Sequence, residues 1–266
     1  MSRRLAHKQV GSALYWDVME ITTDTFKLAA YANGNPQAPK LALVLPGFLD
    51  TKDHPHMRSH VDYLAGKGFY AVSFDPPGTW GSLGEINTYT MTNWLEAIQE
   101  VIAHFGSRPT FTMGTSRGGC MAMLATVRNP QVTAFAAVMS KASYGQGASS
   151  AHPIDEWKRD GYREYHVTIP GYPGHKKDFK VPYSAVLDSQ KYDLIKPLSK
   201  LIKPKLFILG LQDTVVSPET VREGFDASAE PKVLRSVDSE HIYRRYPEIV
   251  EQVNAHVGQF LLQFGL

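Results

Sequence analysis

The chain has 266 residues, a length that suggests one large domain or two small ones. Hydrophobic residues make up 43% of the chain and charged residues 20%, a balance that excludes a disordered protein, a coiled coil and a collagen. The formal net charge of +2 gives no electrostatic reason to expect a nucleic-acid partner.

Cysteine content and hydropathy indicate the cellular compartment in which the protein folds. The chain contains one cysteine, so it forms no internal disulfide and its fold requires no oxidising environment. The segment from Met1 to Lys8 lacks the apolar core of a signal peptide. No run reaches the roughly 20 apolar residues that a membrane span requires. These features predict a cytoplasmic protein.

Short apolar runs alternate with helix-length segments along most of the chain. The predicted strands cover residues 14–20, 25–31, 40–45, 70–74, 110–113, 134–139, 205–209 and 233–237. The predicted helices cover residues 57–65, 90–104, 117–127, 218–227 and 246–264. Continuous apolar runs of this length are typical of parallel strands buried on both faces. Their alternation with helices predicts an open α/β sheet, with the first two strands as an antiparallel pair.

Residues 141–200 interrupt this alternation. The segment is rich in glycine and proline and contains eight aromatic residues. A structureless loop of about 60 residues would be unusual in a compact domain, so we predict a packed cap insertion over the carboxyl edge of the sheet, with an exposed loop as the alternative. The core is then residues 1–140 and 201–266. Trp157, Tyr144 and Tyr165 are the candidate substrate-binding residues of the insertion.

The segment Gly114-Thr115-Ser116-Arg117-Gly118 lies directly between a predicted strand and a predicted helix. A serine in a strand–turn–helix of this kind occupies a strained elbow, and small residues on either side permit the tight turn. The adjacent helix N-terminus favours negative charge near the hydroxyl. We therefore predict that Ser116 is a catalytic nucleophile, the alternative being a serine that caps an ordinary helix.

A serine hydroxyl needs a base to accept its proton, and the base needs an orienting carboxylate. On an α/β sheet these partners can follow the serine in the order acid, then histidine, from loops after later strands. Asp213 follows the predicted strand at 205–209, and His241 follows the predicted strand at 233–237. The order predicts a catalytic triad of Ser116, Asp213 and His241. Asp238 and Glu240 are the alternative acids.

The tetrahedral intermediate of acyl transfer needs hydrogen-bond donors for its oxyanion. One donor is expected to be the backbone N–H of Arg117, which follows the nucleophile. The other is expected from the loop Pro46-Gly47-Phe48-Leu49 after the strand at 40–45. Gly47 permits a tight turn there, so the Phe48 N–H is the second candidate of the oxyanion hole.

Together these segments resemble the α/β-hydrolase fold serine hydrolases, the group that contains carboxylesterases, monoacylglycerol lipases and prolyl-aminopeptidase-like enzymes. The matching segments are residues 46–48, 75–78, the Ser116 elbow, residues 210–213 and His241. Residues 51–52 and 81–84 are similar to the feruloyl esterase-like branch. Family members commonly have His-Gly in place of Pro46-Gly47 and Arg-Gly in place of Pro77-Gly78. The first departure alters a side chain but leaves the backbone donor of the loop in place.

The resemblance implies the α/β-hydrolase fold, a mostly parallel central sheet flanked by helices, with a cap insertion. It also implies ester hydrolysis through an acyl-enzyme, with a small-molecule substrate and neither cofactor nor metal. The aromatic residues of the insertion could stack on a flat acyl group, which favours esters of small to medium or aromatic acyl groups. The resemblance leaves open whether the protein forms a homodimer.

Other functions stay open for the same residues. An aminopeptidase or amidase, an acyltransferase and a cofactor-independent lyase could use the triad, and a non-catalytic ligand receptor could share the fold. Tyr63 and Lys67 match the Y-x-x-x-K pattern of short-chain dehydrogenases, but no glycine-rich dinucleotide loop follows an early strand. His54, His56 and His60 indicate a polar loop at the rim of the site more strongly than a metal centre.

Overall fold

The central element is a mixed sheet of eight strands. The computed structural model describes residues 19–144 and 154–266. The strands of the sheet are β1 Met19–Thr22, β2 Lys27–Asn33, β3 Leu41–Leu45, β4 Tyr70–Phe74, β5 Thr110–Thr115, β6 Val132–Val138, β9 Lys205–Gly210 and β10 Lys232–Val237. Their spatial order is β1–β2–β4–β3–β5–β6–β9–β10. A separate hairpin pairs β7 Tyr162–Thr168 with β8 Lys176–Pro182.

Strand direction follows the predicted pattern. The pairs β1–β2 and β2–β4 are antiparallel, and the other five pairs of the sheet are parallel. Every residue of β3, β4 and β5 is buried, as expected for strands covered on both faces. The predicted open α/β sheet is therefore confirmed. Residues 14–18 of the first predicted strand lie outside the described residues.

Helices cover both faces of the sheet. They are α1 Pro55–Ala65, α2 Met91–His104, α3 Arg117–Arg128, α4 Ile154–Asp160, α5 Ser184–Ser189, α6 Ile195–Leu198, α7 Pro218–Ala227 and α8 Pro247–Phe264. Side chains of β3 alternate between two apolar clusters, Leu41 and Leu43 facing one and Ala42 and Val44 the other, because successive strand residues point to opposite faces. Helices α2, α3 and α7 pack on the first cluster, and α1 and α8 on the second.

The predicted insertion contains α4, the β7–β8 hairpin, α5 and α6. It contacts loops that follow parallel strands of the sheet. Tyr165 lies 5.0 Å from Phe48 between ring centroids, and Phe179 lies 5.3 Å from Trp80. The Lys177 Nζ also donates to the Trp80 carbonyl at 2.8 Å. The insertion therefore packs at the carboxyl edge of the sheet, where α/β proteins bind ligands.

Among the residues that the structure describes, no helix combines the length and the apolar character needed to cross a bilayer.

Candidate active site

The turn between β5 and α3 holds Ser116 in a strained conformation. Its φ of 52° and ψ of −119° lie in a region that residues with a side chain rarely adopt. A Cβ atom added to Gly114 would overlap the Gly118 carbonyl, and one added to Gly118 would overlap the Leu45 carbonyl. Glycine at both positions therefore lets the helix start pass close to β3 and β5. The Ser116 hydroxyl makes no capping hydrogen bond with α3, so it is available for another partner.

That partner is His241. Its Nε2 lies 3.0 Å from the Ser116 Oγ, and its Nδ1 lies 2.7 Å from an Asp213 carboxylate oxygen. The other Asp213 oxygen accepts the backbone N–H groups of Val215 and Val216, each at 2.8 Å. The Asp213 side chain is fully buried, whereas that of His241 is 16% exposed. The loops after β5, β9 and β10 therefore bring together the three residues predicted as a triad.

The acid partner of the histidine sets its tautomer. Because the Asp213 carboxylate only accepts, His241 donates through Nδ1–H and leaves the Nε2 lone pair directed at the Ser116 hydroxyl. The two alternative acids lie elsewhere. Asp238 accepts from the Gln212 side-chain amide at 2.8 Å, and Glu240 accepts from Arg245 at 3.3 Å.

The loop after β3 lies directly beside Ser116. A Cβ atom added to Gly47 would lie 3.7 Å from the Ser116 Cβ, and the Arg117 guanidinium lies 4.5 Å from the Phe48 ring centroid. Arg117 is the first residue of α3, whose initial N–H groups have no partner within the helix. Among residues 19–144 and 154–266, no acceptor takes the N–H of Phe48 or Arg117. Their assignment as oxyanion donors stays a prediction.

The three aromatic residues predicted to bind substrate lie at different depths. Tyr165 packs on Phe48, and the Tyr144 ring lies 5.4 Å from the Arg117 guanidinium. Trp157 contacts Tyr165 at 6.0 Å between centroids, and its indole N–H donates to the Val181 carbonyl at 3.0 Å. Tyr144 and Tyr165 therefore border the residues beside Ser116, while Trp157 lies one ring further into the insertion.

A buried polar network around Asp50, between β3 and α1, was not predicted. His54 Nε2 lies 2.9 Å from one Asp50 oxygen, and His56 Nε2 and an Arg244 nitrogen each lie 3.3 Å from the other. Burial alone would raise the pKa of Asp50, but the charges and hydrogen bonds of His54 and His56 hold it well below its ordinary value. The expectation of a polar rim loop was wrong, because these histidines are buried.

His60 extends this network to the elbow. Its Nδ1 lies 2.6 Å from the Asn254 side-chain oxygen and its Nε2 lies 2.8 Å from the Tyr243 hydroxyl, which is 3.0 Å from the Thr115 Oγ1. The network thus connects α1, α8, the loop after His241 and the residue before Ser116. The i, i+4 spacing of His56 and His60 on one helix face was the available sequence signal. No group of three or more His, Cys, Asp or Glu residues in the described part of the chain is arranged to hold a metal ion.

His60 makes the stability of the fold depend on pH. Burial, helped by the charge of His56, lowers the pKa of His60 from 6.5 to about 3. Between these values the unfolded chain binds a proton that the folded chain does not. The free energy of unfolding should therefore fall as pH falls from 6.5 toward 3, by up to about 1.4 kcal/mol per pH unit.

Urea unfolding of the His60→Gln variant between pH 4.5 and 6.5 should give a shallower pH dependence than the wild type, because glutamine does not titrate. His104→Gln, which changes an exposed histidine of α2, is the matched control and should keep the wild-type slope. Equal slopes for wild type and His60→Gln would contradict the assignment.

Cys120 plays a different part from Ser116 although it lies four residues further along α3. It is fully buried, and burial raises its pKa from 9.0 to about 12. A thiol in this state is not a nucleophile at neutral pH. Cys120 therefore packs in the core.

The sheet, the Ser116 elbow and the histidine that joins it to a buried carboxylate define a class of protein. The sequence model of the α/β hydrolase fold family matches residues 42–175, half of the chain, and the protein belongs to this family. The predicted α/β-hydrolase fold is confirmed.

The individual relatives share only about a fifth of their residues with this chain. The human protein named palmitoyl-protein thioesterase ABHD10, mitochondrial, is 21% identical over 223 residues, which cover 83% of this chain and 72% of the relative. Its mouse counterpart is 20% identical over 192 residues. That match covers 72% of this chain and 64% of the mouse protein, so this chain spans less than two thirds of it.

Two solved structures give the same picture of the fold. Est1E from Butyrivibrio proteoclasticus, solved with ferulic acid bound, superposes with a TM-score of 0.74 at 20% identity, covering 92% of this chain and 99% of Est1E. Mouse alpha/beta hydrolase domain-containing protein 10 superposes with a TM-score of 0.74 at 18% identity, covering 94% and 100% of the two chains. At these identities the likeness concerns the fold.

Proposed function

We propose that the protein is a serine hydrolase that cleaves carboxylic esters of small to medium or aromatic acyl groups. The observation that carries the proposal is the position of the His241 ring, with Nε2 3.0 Å from the Ser116 Oγ and Nδ1 2.7 Å from Asp213. This is the arrangement in which a histidine can remove the serine proton and a carboxylate can stabilise the resulting imidazolium.

The reaction then follows from the geometry. His241 Nε2 accepts the hydroxyl proton as the Ser116 Oγ attacks the carbonyl carbon of the ester. The carbonyl oxygen gains negative charge and is stabilised by the backbone N–H groups of Phe48 and Arg117, whose lack of a described acceptor leaves them available. The imidazolium returns its proton to the departing alcohol, leaving an acyl-enzyme. A water activated by the same histidine completes the hydrolysis.

Residues 141–200 act as the cap in this proposal. Pockets for small molecules combine apolar walls with a few polar groups, and the aromatic rings of Tyr144 and Tyr165 border the loop after β3 and Arg117. A flat aromatic acyl group could stack on such rings, which contributes about 0.5–1.5 kcal/mol beyond area burial. Trp157 contacts Tyr165, and a direct contact of Trp157 with the acyl group stays a prediction. The substrate is a small molecule, and the cytoplasmic location and the homodimer stay predictions.

A thioesterase is the second candidate. It is favoured by the similarity to the proteins named palmitoyl-protein thioesterase ABHD10. Thioester hydrolysis proceeds through the same acyl-enzyme and the same triad, so the site geometry alone does not separate the two leaving groups. The acyl panel described next also separates the esterase from an amidase, an acyltransferase, a lyase and a receptor.

The test is an acyl panel with matched leaving groups. We expect the protein to release nitrophenol from short acyl and cinnamoyl esters, and to cleave these at least tenfold faster than a palmitoyl thioester or a proline anilide. Faster cleavage of thioesters than of esters with the same acyl group would replace the ester assignment by the thioesterase. An absence of turnover on every acyl compound would contradict a hydrolase and favour the receptor or the lyase.

A further inference from the structure

The Arg117 side chain faces aromatic rings beside the proposed nucleophile. Its guanidinium lies 4.5 Å from the Phe48 ring centroid and 5.4 Å from that of Tyr144. Guanidinium groups stacked on aromatic faces keep their N–H donors in the plane of the group, directed away from the rings. The side chain is half-buried and forms no ion pair with any residue in the two described ranges.

Three other buried or partly buried cations of the protein lie beside carboxylates. Lys52 lies 3.5 Å from Asp75, Arg58 lies 2.7 Å from Asp53, and Arg244 lies 3.3 Å from Asp50. A charge removed from water is costly unless an opposite charge or a set of hydrogen bonds compensates for it. Arg117 differs from these three residues because it faces aromatic rings and a phenol, whereas each of them faces an acid. It also differs from Arg108 and Lys205, whose side chains donate to backbone carbonyls.

A second cation lies on the same ring. The Lys141 Nζ is 4.2 Å from the Tyr144 ring centroid. Burial and the positive charge of Arg117 both lower the pKa of Lys141, as expected for an amine that is partly withdrawn from water and close to a like charge. Two cations in contact with one ring concentrate positive charge at that place, which favours a bound anion.

We propose that Arg117 and Lys141, which both contact the Tyr144 ring, form a subsite for a carboxylate on the substrate. This inference rests on the proposed esterase function and names its substrate class, the half-esters of short dicarboxylic acids. The guanidinium fork matches a planar carboxylate with two parallel hydrogen bonds, and the ammonium adds a point charge.

The carboxylate belongs to the acyl part of the substrate. The leaving oxygen must lie within reach of His241 Nε2 to receive its proton. Arg117 contacts Phe48, from the loop of the proposed oxyanion donors, and Tyr144, from the insertion. An anionic group held there is joined to the carbonyl carbon and not to the departing alcohol.

The experiment compares esters that differ only in a terminal carboxylate. The mono-p-nitrophenyl esters of glutarate and adipate are measured against p-nitrophenyl valerate and hexanoate, with uncatalysed hydrolysis subtracted. The ratio of kcat/KM for the anionic ester over the neutral ester is the readout. We expect a wild-type ratio above one that falls about tenfold or more in Arg117→Gln and by a smaller factor in Lys141→Gln, mainly through KM.

Arg128→Gln is the matched control, because it removes the same charge from the same helix about 16 Å away and should keep the wild-type ratio. An equal loss on neutral and anionic esters in Arg117→Gln would overturn the subsite, since it would mean that the side chain serves the oxyanion alone. A larger loss on esters with the carboxylate on the alcohol would overturn the acyl-side placement.

Calorimetric titration separates this inference from the proposed function. The Ser116→Ala protein should bind glutarate, and the Ser116→Ala, Arg117→Gln double variant should bind it about tenfold more weakly. If no ester is hydrolysed, the proposed esterase fails, and Arg117-dependent glutarate binding still supports the subsite. Undetectable glutarate binding, or tighter binding of inorganic phosphate than of glutarate, would overturn the carboxylate subsite.

Discussion

Ester turnover should fall by about 10⁵-fold or more when Ser116 is replaced by alanine. The proposed mechanism needs the Ser116 oxygen to form the acyl bond, and no other hydroxyl is placed at 3.0 Å from His241 Nε2 among the described residues. The fold should survive, because the hydroxyl makes no capping bond with α3. Initial rates on p-nitrophenyl butyrate and the thermal midpoint of both proteins measure the two effects.

A fluorophosphonate probe gives an independent measurement on the same residue. It should label the wild type at Ser116, as located by peptide mass spectrometry, and should leave Ser116→Ala unlabelled. Thr90→Ala is the matched control, since Thr90 also precedes a helix but uses its hydroxyl to accept the Asn93 N–H at 3.1 Å. That variant should lose about 1 kcal/mol of stability and keep its turnover. Labelling at another residue, or full turnover by Ser116→Ala, would show that Ser116 is not the nucleophile.

The second large effect is expected for Asp213→Asn, with turnover reduced by about 10⁴-fold. Asparagine has the same shape and can direct its oxygen at the N–H groups of Val215 and Val216, which Asp213 now satisfies at 2.8 Å. Its NH₂ group then faces His241 Nδ1. This forces the proton onto Nε2, so that the ring donates toward Ser116 and no longer accepts its proton.

Asp238→Asn is the control for this prediction. Asp238 lies on the loop that carries His241 but pairs with the Gln212 side chain, and its variant should stay within about twofold of the wild-type rate. Steady-state kinetics and thermal unfolding of both variants make the comparison. Wild-type turnover by Asp213→Asn, together with a large loss in Asp238→Asn, would transfer the role of the acid to Asp238.

Much of the fold was predictable because its signals are local. The strands β3, β4 and β5 are buried along their whole length, and a strand covered on both faces leaves a continuous apolar run in the sequence. The helix α7 begins at Pro218 and ends at Ala227, the bounds that were predicted. A proline at the first helical position and a serine before it are local signals of a helix start. Strand order across the sheet did not follow from these runs, because pairing joins segments far apart in the chain.

The histidines of α1 show where sequence reasoning failed. His54 and His56 surround a buried carboxylate, and His60 contacts Tyr243 and through it Thr115. Polar residues near a proline are typical of an exposed loop. These histidines are buried because partners distant in the sequence offset the free-energy cost of removing them from water. The Thr115 and Tyr243 side chains meet across 128 residues of sequence, a contact that no local pattern reports.

The sequence by itself determined the alternation of strands and helices, the position of the Ser116 elbow and the order in which Asp213 and His241 follow it. These features depend on side-chain periodicity and on turn residues, which act over a few positions. Tertiary structure alone decided that Asp213 and not Asp238 contacts His241, that Tyr165 covers Phe48, and that Arg117 and Lys141 share the Tyr144 ring. Apart from the local contact of Lys141 with Tyr144, these contacts join separate loops, and their positions follow from the packing of the whole sheet and its insertion.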